Sequence, residues 1–220
     1  MKETDRTMPD DLLIDGPADA AATLVLAHGA GAPMDSAFMD RVARGLGAHG
    51  VRVVRFEFDY MARRRTDGVK RPPEAQAKLL ARFTRVIDRV AEQAAPAGGR
   101  LALGGKSMGG RMATLLAAQG VGDAVAVFGY PFHPPGKPER LRLDHFPALG
   151  CPVLIAQGSR DPFGTRDEVA GYPLPATVHL HWAEDGNHDL KPRKASGRSH
   201  DDTIDDAVAA VARFLTDPGR

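Results

Sequence analysis

A serine flanked by glycines stands where an apolar run meets a helical pattern: Gly105-Lys106-Ser107-Met108-Gly109, inside LALGGKSMGGR. The spacing is G-x-S-x-G. A serine at the centre of such a turn projects its hydroxyl from the end of a strand, on a sharply bent and strained backbone. Glycine is needed two positions before and two after, because a Cβ there would strike the neighbouring strand and helix. The N-terminus of the following helix favours negative charge at the serine. The rival reading of Lys106-Ser107 is a phosphate-binding loop, but the upstream glycine of that motif is missing. Ser107 is therefore expected to be a nucleophile.

A serine hydroxyl attacks poorly until a base takes its proton. Two later turns offer a carboxylate and then an imidazole, in the order Ser, Asp, His. The turn Gln157-Gly158-Ser159-Arg160-Asp161-Pro162-Phe163-Gly164 places Asp161 just past a strand-like run. Glu184-Asp185-Gly186-Asn187-His188-Asp189-Leu190 does the same for His188. In this reading His188 is the base and Asp161 fixes it. Upstream, Leu26-Ala27-His28-Gly29-Ala30-Gly31-Ala32 ends another strand in small residues, which let backbone N–H groups face a substrate carbonyl. The N–H of Ala30 and the N–H of Met108 are assigned to the developing oxyanion. His28 is the rival base, and the preferred reading makes it a structural histidine that hydrogen-bonds its loop. Phe132 and His133, with His28, are candidates for the pocket wall.

Positioning these groups requires an alternating scaffold. The runs Thr23–Ala27, Val51–Phe56, Leu101–Leu103, Ala124–Phe128, Val153–Ala156 and Thr177–His181 read as strands, most of them continuously apolar. Such runs suit a parallel sheet covered on both faces. Helical patterns lie between them. Phe38, Val42 and Leu46 share a face that Asp35 or Ser36 can cap and Gly47 or Gly50 can end. From Glu74 to Ala94 an apolar stripe repeats at the helical period. Met108 to Gln119 follows the serine, and Ser199 with Asp202 caps a last helix. Three segments read as longer loops: Asp59–Pro73 (basic), Tyr130–Gly150 (Pro-rich) and Glu184–Arg198. Residues 1–20 are expected to be a loosely ordered N-terminal part of a single domain spanning 1–220.

The composition narrows the function further. Lys plus Arg is 29 against 28 for Asp plus Glu, a net charge of +1. That balance gives no global field for nucleic acid. No apolar run is long enough to span a bilayer, and the polar N-terminus has no signal-like apolar region. With Cys151 as the one cysteine, a cytoplasmic setting is expected. His179-x-His181 could pair two imidazoles on one strand face, but no further ligand stands in register, so no metal is expected. Two basic runs follow strands: Arg63, Arg64, Arg65, Lys70 and Arg71, then Lys191, Arg193, Lys194 and Arg198. The ordinary reading is solvated surface. The bolder one makes them the rim of one mouth that draws an anionic small-molecule ester.

LVLAHGAGAPMDS, GGKSMGGR, YPFHPPGKP, QGSRDPFG and GNHDL together resemble the small α/β-hydrolase family related to dienelactone hydrolases, in its branch of short bacterial proteins. The resemblance runs from about Thr23 to the last helix. It implies an α/β-hydrolase fold, a mainly parallel sheet with helices on both faces and no cap domain. It also implies the roles given above to Ser107, Asp161 and His188, with no cofactor. Dienelactone hydrolase proper uses a cysteine where this chain has Ser107, so its substrate does not carry over. The expected activity is cleavage of a carboxylic ester or thioester through an acyl-serine. The alternative is a non-catalytic interaction module that keeps the fold.

Overall fold

The computed structural model describes residues 12–94 and 99–217. Seven strands form one sheet: β1 (Leu13–Asp15), β2 (Ala22–Ala27), β3 (Arg52–Phe56), β4 (Arg100–Lys106), β5 (Ala124–Phe128), β6 (Val153–Gly158) and β7 (Val178–Ala183). The helices are α1 (Ala37–Ala48), α2 (Asp59–Asp67), α3 (Gln76–Ala94), α4 (Met108–Ala117), α5 (Arg166–Val169) and α6 (His200–Thr216). The strand order is β1-β3-β2-β4-β5-β6-β7, and only β1 runs antiparallel to its neighbour.

Alternation along the buried strands feeds two cores. Val25, Ala27, Leu103 and Val125 face one side, where α3 and α4 supply Leu79, Phe83, Met112 and Leu116. Leu24, Leu26, Ala102 and Ala126 face the other, against Val42 and Leu46 of α1 and Ile204, Val208 and Val211 of α6. Burial on both faces is why these strands lack a polar alternation. Among the described residues no helical cap is inserted over the carboxyl ends of the strands, and no helix is long and apolar enough to cross a membrane.

Three expectations need correction. Leu13–Asp15 is a paired edge strand, so the loosely ordered segment does not reach residue 20; residues 1–11 lie outside the described residues. Asp59–Asp67 is a helix ended by left-handed Gly68, φ 71°. Its apolar signal is only Tyr60 and Met61, which three consecutive arginines obscured. Strand β4 extends through Gly104 and Gly105 to Lys106. Those glycines weaken a strand on paper, yet a Cβ on Gly104 would lie 2.4 Å from Ala126 O, so the close approach requires them. The last helix starts as expected, with a capping box between Ser199 and Asp202.

Candidate active site

Ser107 follows the last residue of β4 and precedes the first of α4. Its backbone has a positive φ, 52°, with ψ −112°, which is strained for a residue with a Cβ. The flanking glycines make the bend possible. A Cβ on Gly105 would meet Gly109 C at 2.5 Å and Ala27 O at 2.7 Å, and one on Gly109 would meet Ala27 O at 2.5 Å. The turn is held by Ser107 N–H donating to Phe128 O at 3.1 Å.

His188 Nε2 lies 2.8 Å from Ser107 Oγ, and its Nδ1 lies 2.7 Å from Asp161 Oδ2. Asp161 is fully buried. With Nδ1–H donating to the carboxylate, Nε2 is left to accept the serine proton. Two further donors hold the acid: Phe163 N–H to Oδ1 at 2.9 Å and Gln157 Nε2 to Oδ2 at 2.9 Å. Gln157 also accepts from Tyr130 N–H at 2.7 Å, which ties the loop after β5 to the same carboxylate. The Phe163 ring lies over the imidazole, centroids 4.3 Å apart.

The distance that His188 must travel explains several residues around it. Neighbouring strands are about 4.8 Å apart, so β7 stands about 14 Å from β4. The loop after β7 has to cross the ends of β6 and β5 to reach Ser107. Glycines stand at both crossings, Gly158 as the last residue of β6 and Gly129 just after β5. A Cβ on Gly158 would lie 2.2 Å from Asn187 O, and one on Gly129 would lie 2.7 Å from His188 O. Where the loop lands on β4, Lys106 Nζ donates to His188 O at 2.7 Å. Its far side is tied to α6 by Thr203 Oγ1 donating to Leu190 O at 2.8 Å.

The loop after β2 faces the same place. His28 is fully buried there; Nδ1 donates to Gly29 O at 2.7 Å and Nε2 accepts from Phe58 N–H at 3.1 Å. Burial holds its pKa below the usual histidine value. Both ring nitrogens are used, so His28 braces the loop and has no nitrogen left to act as a base. Tyr60 Oη donates to Ala30 O at 2.9 Å, which fixes the peptide beyond it. Met108 is the first residue of α4, so its N–H has no acceptor within the helix.

A family model for the alpha/beta hydrolase domain matches residues 20–216. The chain belongs to this family. Solved structures agree on the fold. An alpha-beta serine hydrolase homologue from Coxiella burnetii superposes with a TM-score of 0.70 at 15% identity, covering 93% of this chain and 90% of that one. A serine hydrolase without lid from Xanthomonas campestris gives 0.67 at 20% identity, over 95% and 90%. A dienelactone hydrolase from Anabaena variabilis gives 0.68 at 20% identity, over 93% and 88%.

In this alpha/beta hydrolase a cleft of about 310 Å³ opens beside Ser107. Phe38, Met39, Phe163, Ala30, Gly31 and Lys106 are in its wall. His28, Phe132 and His133, expected in the wall, lie behind it. Phe132 is buried between Tyr130 and Tyr172, and its ring fills the space a Cβ on Gly164 would need. His133 is buried too, donating its own N–H to Phe163 O at 3.2 Å. Sequence reasoning did not place Phe38 and Phe163 in the wall; Phe163 carried a signal as a large apolar residue in the turn after β6, and Phe38 was read only as part of the α1 face.

Part of the two basic runs is neutralised by ion pairs. Arg65 is bound by Glu57 and Asp35, Arg63 by Glu74, Arg71 by Asp67, and Arg193 by Asp185. Asp67 and Asp185 are held at about 2 by the arginines that bind them, so both stay charged and offset those cations. His179 and His181 line a separate groove of about 560 Å³ between β7 and the end of α6. Among the described residues, no group of three or more His, Cys, Asp or Glu side chains is placed to hold a metal ion.

Proposed function

We propose that the chain is a single-domain serine hydrolase that cleaves small carboxylic esters or thioesters. The observation that carries this is the unbroken hydrogen-bonded line Ser107 Oγ, His188, Asp161, open to an apolar cleft at one end and buried at the other. As Ser107 Oγ attacks the carbonyl carbon, its proton passes to His188 Nε2, and Asp161 stabilises the imidazolium. The carbonyl oxygen becomes an oxyanion between the N–H groups of Ala30 and Met108, where the helix N-terminus also favours negative charge. Collapse expels the alcohol or thiol, which takes the proton from His188. Water, deprotonated by His188, then attacks the acyl-serine and releases the acid.

The cleft suits a neutral, short substrate. Its walls are largely apolar, its volume fits a small molecule, and Arg63 and Arg65 are already paired with Glu74, Glu57 and Asp35. Cys151 is half-buried and burial pushes its thiol pKa up, which suits a packing residue and leaves the nucleophilic role to Ser107. The test compares kcat/KM for a neutral and an anionic short-chain ester of equal size between 0.01 and 0.1 M salt. The neutral ester should be preferred, with little change as the Debye length falls from about 30 to about 10 Å. Ser107→Ala should lose several orders of magnitude on either substrate. An anionic preference that shrinks with salt would contradict the neutral assignment, and full activity in Ser107→Ala would contradict the mechanism.

A further inference from the structure

Lys106 is an unusual residue to bury. It occupies the position directly before the serine, at the end of a central strand, and its side chain is only 9% exposed. Burial lowers its pKa, and the carboxylates of Asp189 and Asp161 oppose that shift. A buried ammonium is costly unless every donor finds a partner. Its aliphatic stem passes the loop after β2, where a Cβ on Gly29 would lie 3.4 Å from Lys106 Cγ. Its head turns beneath the histidine loop. There Nζ donates to His188 O at 2.7 Å, pairs with Asp189 Oδ1 at 3.2 Å and sits 5.5 Å from the centre of the Phe38 ring. A Cβ on Gly129 would come within 3.1 Å of Nζ, so the neighbouring strand end is also shaped around the ammonium.

We propose that Lys106 is a positioning residue: it ties the backbone of His188 to the strand that carries Ser107, and so fixes the base against the nucleophile. The inference rests on the serine-hydrolase reading. The histidine loop arrives from about three strands away and has no strand of its own at its landing point. Ser107 and Lys106 are adjacent in one chain, so whatever holds His188 through Lys106 holds it relative to Ser107. Side-chain hydrogen bonds alone set the ring; the Lys106 bond sets the main chain from which the ring hangs. A misplacement of about 1 Å can cost on the order of a hundredfold in rate. Lys106 is one of several residues in the cleft wall, beside Phe38, Met39 and Phe163, so KM must be read alongside kcat to separate positioning from binding.

The experiment uses Lys106→Met, which keeps the stem and removes the ammonium. Active sites are first counted by the end-point of fluorophosphonate labelling, so that kcat is expressed per competent site. The expected result is a folded protein, KM within about twofold of wild type, and kcat and the labelling rate constant both lower by about tenfold or more. Lys106→Gln keeps a donor that falls one atom short, and should lie between Lys106→Met and wild type. A wild-type kcat per titrated site in either folded variant overturns the proposal. So does a rise in KM with kcat unchanged, which would make Lys106 a binding residue. Loss of the folded state in both variants would make it a residue of the fold, and overturns the positioning role too. Absence of labelling in the wild-type protein is a different outcome, since it strikes the serine-hydrolase reading itself.

Discussion

Gln157 shows what residue types alone conceal. Its amide joins Asp161, Tyr130 and Gly164, yet in the sequence it is one more polar residue at the end of an apolar strand. Gln157→Leu should cost about 1–3 kcal/mol, because the Tyr130 N–H and the Asp161 carboxylate each lose a buried partner. It should also lower kcat, since Phe163 N–H is then the one remaining donor named above that holds the acid toward His188; urea unfolding and steady-state kinetics read the two effects. The turns that carry Ser107, Asp161 and His188 were legible because each follows an apolar strand and holds a residue type a hydrolytic line would need; the hydrogen bonds show that the three meet. Gln157 and Lys106 were not, because a supporting residue is defined by what it touches. His28 was legible in type but ambiguous in role, and its two hydrogen bonds decide for a brace.

At the scale of elements, the parallel strands declared themselves through continuous apolar runs, and α6 through its cap. Ser199 accepts from Asp202 N–H, and Asp202 accepts from Ser199 N–H at 2.9 Å. Ser199→Ala should therefore cost about 1 kcal/mol and lower the melting temperature by a few degrees, with kcat per site unchanged. A loss of activity at constant stability would mean that the cap reaches the site through the histidine loop. Two elements were hidden. Strand β1 is three residues long and lies on an edge, where two of its residues are exposed. Helix α2 is short, and its Arg63 and Arg65 form ion pairs in place of an apolar stripe. Its Tyr60 nonetheless holds the loop over the cleft, so the hidden helix matters to the site.

The whole molecule carries a pH dependence of stability set by histidines held neutral. His28 is lowered by burial, and His145 is lowered to about 4 by burial and by Arg111. Unfolded, both titrate near 6.5. Between the two values the unfolded chain binds more protons than the folded one, so stability rises with pH there and is lost as pH falls below about 6.5. The melting temperature should fall steadily from pH 7 to pH 5, and His145→Gln should flatten part of that slope. A flat profile would contradict the assignment of these rings as neutral and buried. The central claim concerns one oxygen atom of the intact chain, and mass spectrometry of that chain tests it most directly. Treated with a fluorophosphonate, the folded protein should gain a single adduct, mapped to Ser107 and absent from Ser107→Ala; a folded wild-type protein that stays unmodified, or one labelled elsewhere, would contradict the account.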